Sequence, residues 1–217
     1  MNAAGREIGR AWQYFLHNQH QFWQAASEHV RLSLTALLIA IVLCIPLGLW
    51  AAKQRWVAQP IINGANALRV IPSLAILFLV LPYLGLGFRP SLVALTVLAC
   101  PPILINTYAG FRAVDRAIIE AARGMGMAPG QVLRTVEFPL ALPVLIAGIR
   151  IATVEVVASA SLAAFIAGGG LGIFIQRGFS VNQPSLMLVG TIPIALLALL
   201  CEALLASVQR AVTLREA

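Results

Sequence analysis

Glu120-Ala121-Ala122 is separated by three residues from Gly126, and nine more residues lead from there to Val136-Glu137-Phe138-Pro139. This polar, glycine-bearing insert runs from Glu120 to Pro143 between long apolar segments. Glu120 to Ala122 favour helix, and Arg116, four residues before Glu120, falls on the same helix face. Gly126 has no Cβ, so it permits a sharp turn or the close approach of another backbone. Met125 and Met127 flank it with adaptable side chains suited to meeting a protein partner. Pro129-Gly130 marks a break, after which Gln131 to Glu137 is expected to form a second short helix. A plain solvated connector with a glycine helix stop needs neither this spacing nor alanines and methionines beside the glycine.

Working outward, composition sets the class. The 217 residues are 60% hydrophobic and only 11% charged, with a mean hydropathy of +0.88. Soluble domains carry about twice that share of charge or more. Long uncharged runs cover Leu32 to Ala52, Val70 to Phe88, Pro90 to Phe111 and Gly178 to Cys201. Each meets or approaches the roughly 20 apolar residues that cross a bilayer core. Phe138 to Gln176 is broken only by Arg150 and Glu155, and its first part supplies another span, giving five. Pro46, Pro72, Pro82, Pro101, Pro102 and Pro193 fall within these runs and are tolerated where helices pack on neighbours.

The formal charge of +7 belongs to span ends rather than to a nucleic-acid surface. With five spans, the side carrying the Glu120 loop holds Lys53, Arg55, Arg69, Arg112, Arg116, Arg123, Arg134, Arg210 and Arg215. The other side holds Arg6, Arg10, Arg31, Arg89 and Arg177, while Arg150 lies within a span. That bias predicts a cytoplasmic loop and C-terminus and an outward N-terminus.

Residues 1–28 lack the apolar core of a signal peptide, because Gln, Asn and His follow Trp12 to Leu16 at once. Trp12, Phe15, Leu16, Phe22, Trp23 and Ala26 form a stripe at helical spacing that predicts a helix at the membrane interface. His17, His20 and His29 lie before the first span without acidic or cysteine partners, and read as interfacial. Cys44, Cys100 and Cys201 fall in apolar spans, with neither disulfide nor metal spacing. The run Gly168-Gly169-Gly170-Leu171-Gly172 is no phosphate-cradling loop, since Lys53 is the sole lysine and lies far away. It is expected as a flexible re-entrant turn on the outer side.

Glu155 reads as the one carboxylate well inside a span, where an ionised group costs about 2.5–3.5 kcal/mol on insertion scales. Ser159 lies one turn later on its face, with Ser161 nearby; Arg150, five residues earlier, is badly placed for a pair within the helix. Two readings stay open. Glu155 is either a packing residue hydrogen-bonded to a neighbouring helix or a group beside a solute path, attracting a cationic headgroup.

The Glu120-to-Pro139 pattern resembles the signature loop of ABC-importer permeases, E-A-A-x-x-x-G followed nine residues later by I-x-L-P. Glu120, Ala121, Ala122, Gly126 and Pro139 match at the family spacing, while Val136 and Phe138 keep the hydrophobic character but not the identities. The resemblance covers roughly Glu28 to Arg210. Arg69-Val70-Ile71-Pro72-Ser73, Gly85-Leu86-Gly87-Phe88-Arg89-Pro90 and Gly124-Met125-Gly126-Met127 look like the osmoprotectant branch, which moves glycine betaine, carnitine and choline.

The resemblance implies an all-α integral membrane protein of the type I importer permease fold. It would comprise an N-terminal interfacial segment at 1–28, a permease domain at 29–210 and a tail at 211–217, with a cytoplasmic coupling loop at 112–138. It implies that Glu120, Ala121, Ala122, Gly126 and Pro139 couple to an ABC ATPase. Glu155 and Ser159 would line the substrate pathway, and Gly169, Gly170 and Gly172 would form part of an external gate. ATP would be bound by the partner ATPase, with no cofactor or metal in this chain. The remaining partners would be a second permease subunit, identical or paralogous, an external solute-binding protein and the lipids of the bacterial inner membrane.

Three other classes compete. An amino-acid importer permease shares the superfamily motifs. A secondary transporter needs coupling-ion groups, and one intramembrane carboxylate is too few. An intramembrane enzyme needs an activating histidine or lysine beside Ser73, Ser159 or Ser161, and none lies within the spans. Of the 16 aromatic residues, Trp12, Tyr14, Phe15, Phe22 and Trp23 cluster before the first span. Tyr83, Phe88, Tyr108, Phe165 and Phe174 are too scattered for a cage around a methylated nitrogen, so selectivity is expected mainly in the binding component.

Overall fold

The computed structural model describes residues 3–213, all helices and connections with no strand among them. Arg215, counted above among the loop-side charges, and most of the tail lie outside the described residues. In chain order the helices are α1 (Ala3–His17), α2 (Gln19–Lys53), α3 (Arg55–Val70), α4 (Ser73–Leu84), α5 (Phe88–Ala113), α6 (Arg116–Gly124) and α7 (Pro129–Val132). A π-helical turn (Leu133–Glu137) leads into α8 (Phe138–Ser159). A 3₁₀ segment (Ala160–Ile166), α9 (Gly172–Ser180) and α10 (Pro184–Thr213) complete the chain.

Four helical stretches are long and apolar enough to cross a membrane: Gln19–Lys53, Phe88–Ala113, Pro129–Ile166 and Pro184–Thr213. A fifth span is reached if the pair α3–α4, bent by 99° at its break, is counted as one broken span. This corrects the run expected at Val70 to Phe88. Pro72 lacks a backbone N–H and drives the residue before it out of the helical region, so Ile71 is extended at φ −76°, ψ 122°. Pro72 therefore makes an elbow instead of being absorbed within a helix.

α5 is the central element, packed against α2, α3, α4 and α8. Small residues make this possible. On α2, Ala36, Ala40, Cys44, Gly48 and Ala51 are all buried along one stripe. A Cβ on Gly48 would lie 2.8 Å from the Thr107 Cβ, and one on Gly148 would lie 2.7 Å from the Pro102 carbonyl. Close backbone approach of this kind is how membrane helices gain dispersion contact where lipid offers no hydrophobic drive. Leu32, Leu95, Ile103, Leu104 and Val156 fill the rest of that core.

The N-terminal boundaries also differ from expectation. The chain breaks at Asn18, and α2 begins at Gln19, well before the expected span start at Leu32. The aromatic stripe is thereby divided, with Trp12, Phe15 and Leu16 on α1 and Phe22, Trp23 and Ala26 on α2. It closes again in space: the Phe15 and Phe22 rings meet edge-on at 4.8 Å, and Phe22 and Tyr14 each lie 6.2 Å from Phe174. α1 packs against α10, while Ile8, Trp12, Leu16 and Trp23 face outward. His29 is fully buried in α2 and not interfacial; its Nε2 donates to the Val157 carbonyl at 3.0 Å. At the far end, Gly178 belongs to α9, and the span expected from there starts at Pro184 after a turn through Asn182 (φ 52°).

Candidate coupling surface and solute path

Asp115 starts α6, its Oδ1 accepting from the Ala117 N–H at 2.9 Å. The helix ends with the Gly126 N–H donating to the Arg123 carbonyl (2.9 Å) and the Met127 N–H to that of Ala122 (3.3 Å). Those crossed bonds are a Schellman stop, which requires a left-handed residue at Gly126 (φ +85°). The expected close backbone approach at Gly126 is not made within this chain, where a Cβ would meet nothing within 4 Å. Arg116 and Glu120 do not pair, and none of the three ion pairs among the described residues involves them.

α6 is anchored along one face and open along the other. Ala122 is buried, and Ile119 and Leu133 pack onto Phe111, Val114, Ala141 and Leu145 together with Leu49 and Ala52 of α2. Glu120, Ala121, Arg123 and Met125, the last 76% exposed, present an unpartnered surface. The second short helix expected at Gln131 to Glu137 is instead continuous with α8. It begins at Pro129 as α7, passes through the π turn and enters the span without a break. Pro139 follows the π turn directly and has no N–H to donate back into it, so the hydrogen-bond ladder of this continuous helix is interrupted there.

Glu137, inside the matched motif, is only 3% exposed and pairs with Lys53 at the end of α2. This pair was not foreseen. The hint was a charged residue set between Val136 and Phe138, but nothing in the sequence points to a partner 84 positions away.

The glycine run forms a packed turn, not a flexible one. Gly169 (φ +78°) and Gly170 (φ +82°) occupy a backbone region closed to most side chains, and the Gly170 N–H donates to the Glu28 carboxylate at 3.2 Å. A Cβ on Gly172 would overlap the Ser161 carbonyl at 1.9 Å. A pocket of about 370 Å³ opens beside this turn, between Leu86, Phe165, Gln176 and Arg177.

Glu155 is half-buried and makes no hydrogen bond or ion pair with described residues. Ser159 closes α8, and Ser161 donates back to the Ala158 carbonyl at 2.6 Å, so the polar stripe is short. Glu155 is also not alone among intramembrane carboxylates. α10 extends past Cys201, and its Glu202 pairs with Arg150 of α8, whose guanidinium also donates to Gln209. The Gln209 amide in turn donates to the Pro143 carbonyl at 3.1 Å. Arg69, counted above among the loop-side charges, sits in the last turn of α3 at the elbow and is exposed.

Known proteins carry the same architecture. A subunit of the inward-facing MetNI methionine ABC transporter superposes with a TM-score of 0.79 at 22% identity, covering 89% of this chain and 97% of the other. Among sequence relatives, the carnitine transport permease protein OpuCB of Listeria monocytogenes is 41% identical over 87% of each chain. The choline transport system permease protein OpuBB of Bacillus subtilis is 40% identical over 86% of each. The osmoprotectant import permease protein OsmW of Salmonella typhimurium is 34% identical, covering 92% of this chain and 95% of that one. Residues 44–215 match the family described as binding-protein-dependent transport system inner membrane component. With its membrane helices in the type I importer arrangement, this chain belongs to that family: it is a permease subunit of an ABC importer, and not itself an enzyme.

Proposed function

We propose that the chain forms part of the path for a quaternary ammonium compatible solute in an ATP-driven importer. The supporting observation is that relatives at 34–41% identity over most of the chain are named for carnitine, choline, glycine betaine or osmoprotectant transport. The methionine transporter shares only the fold, so the amino-acid alternative has weaker support.

In this reading ATP binds a separate ATPase pair, and this chain holds no cofactor. The exposed face of α6, with Glu120, Ala121 and the Gly126 stop, docks on that ATPase. Movement enters the spans by two routes: through Ile119 and Leu133 into the cluster with Leu49 and Ala52, and through the π turn directly into α8. π turns accommodate shifts of register at low cost, which suits a joint between a moving loop and a rigid span. Ala122 and Pro139 fix that joint. The loop and C-terminus face the cytoplasm and the N-terminus faces outward. Gly169, Gly170 and Gly172 then form part of the outer gate, held by Glu28, and Glu155 and Ser159 line the path. A second permease subunit completes that path, and an external solute-binding protein delivers the solute.

Uptake by the reconstituted complex tests this. Radiolabelled betaine, choline and carnitine should enter in preference to a control amino acid, and the preference should weaken when the binding component is omitted. Equal uptake of the amino acid by the complete system would refute the osmoprotectant reading and leave the permease identity standing.

A further inference from the structure

The glycine turn touches three helices but is bonded to only one of them. A Cβ on Gly168 would lie 2.2 Å from the Ser91 Oγ of α5, and one on Gly190 of α10 would lie 2.7 Å from the Leu171 carbonyl. Gly168, Gly169 and Gly170 have no side chains to interlock with those helices. The bond from the Gly170 N–H to Glu28 is the sole hydrogen bond joining residues 168–171 to α2, α5 or α10 among the described residues. Its acceptor is held in place, since the Glu28 carboxylate also accepts from the Gln24 amide at 3.1 Å, one turn earlier on α2. A Cβ on Gly169 would stand 2.5 Å from the Glu28 Oε2, so the carboxylate lies directly against the turn.

The next residue of α2 faces the same turn with the opposite balance. His29 spends its Nε2 proton on the Val157 carbonyl, near the point where α8 gives way to the 3₁₀ segment. In that tautomer Nδ1 is an acceptor, and it is buried with no hydrogen-bond partner. It lies against the turn, 3.1 Å from where a Cβ on Gly170 would stand. An orphaned buried acceptor is costly, and this one is relieved when the glycines lift and water reaches it. Room for that movement lies alongside, because Ala167 and Gly169 border the pocket of about 370 Å³.

We propose that Glu28 and His29 form a releasable latch on the outer turn, with Glu28 holding it down through Gly170 and the unmet His29 Nδ1 favouring its release. The latch rests on the reading of the glycine run as an outer gate, and adds what sets the ease of its opening. Hydrogen bonds to a charged acceptor are among the stronger ones, so losing Glu28 shifts the closed–open balance about tenfold toward open. Coupling between two sites is reciprocal, so an outer gate that opens more readily also favours ATP binding at the other face.

The test uses the complete importer in proteoliposomes, carrying Ala164→Cys together with Cys44→Ala, Cys100→Ala and Cys201→Ala. Ala164 is 4% exposed and lines the pocket beside the turn. A membrane-impermeant maleimide on the outer side reads the gate, and ATP hydrolysis without solute or binding component reads the coupling. Glu28→Ala should raise the labelling rate about tenfold and that basal hydrolysis about threefold. Glu28→Gln, which keeps the shape and an accepting oxygen, should fall between wild type and Glu28→Ala. Gly170→Ala should raise both readouts, because its new Cβ presses on His29 from a backbone at φ +82°. A purely structural role for Glu28 predicts the opposite sign, with a lower melting temperature, less hydrolysis and no gain in labelling; that result would overturn the latch. If Glu28→Ala does not assemble, Glu28→Gln and Gly170→Ala carry the test, and wild-type labelling in both would reject it. The gate reading is checked apart from the latch, without the Glu28 and Gly170 changes: labelling there should rise when a non-hydrolysable ATP analogue is added. No rise would remove the gate and the latch with it. A rise there, with no effect of Glu28→Ala, would leave the gate standing and reject the latch.

Discussion

Gly126→Val is expected to reduce ATP-driven uptake by at least about tenfold while the protein still inserts and its spans still fold. Gly126 stands at φ +85° in the stop that ends α6, and a β-branched residue is strained there. Such strain costs about 1–3 kcal/mol, which shifts the end of α6 and the exposed residues beside it. The membrane core is not involved, since a Cβ at this position meets no atom of the chain. Gly126→Asn separates two causes, because asparagine tolerates positive φ. Recovery of uptake in that variant assigns the loss to the helix stop alone. Continued loss shows that an ATPase surface approaches the backbone too closely for any side chain. Wild-type uptake by Gly126→Val would remove this loop from the coupling route.

The second large effect is on stability. Lys53→Met should lower the melting temperature of the detergent-solubilised protein by about 5–10 °C. The loss leaves Glu137 as an uncompensated charge at 3% exposure. Breaking a buried pair costs about 3–5 kcal/mol, and the low end applies here because the lysine side chain is 43% exposed and admits water. Adding Glu137→Gln to the same chain should restore most of the loss, since two neutral groups replace the orphaned charge. If single and double variants melt alike, the pair contributes nothing and the loop is held by Ile119 and Leu133 alone.

The parts of the fold that were legible rest on composition and local spacing. The runs containing α5 and α10 are too apolar for water, and Glu120 to Pro139 carries its signature within twenty positions. Pro72 marks the elbow in the sequence, yet in local pattern it resembles Pro46 and Pro101, which lie inside helices. The difference is that Ile71, before Pro72, is extended while the residues before Pro46 and Pro101 stay helical, which no local pattern reveals. Long-range ties were closed to reading for the same reason. Lys53 finds Glu137, Arg150 finds Glu202, and Glu28 finds the Gly170 N–H only after the spans have packed. Arg69 shows the same limit: it falls in the last turn of α3, at an elbow that span counting does not anticipate.

On the coupling route proposed above, the ATPase engages the exposed face of α6. A photoreactive amino acid at Met125, beside Gly126, tests it in the assembled importer. A crosslink is expected between position 125 and the ATPase subunit, strengthened or weakened by ATP as the loop moves. Crosslinks confined to lipid or to this chain, in an importer that still drives uptake, would contradict it.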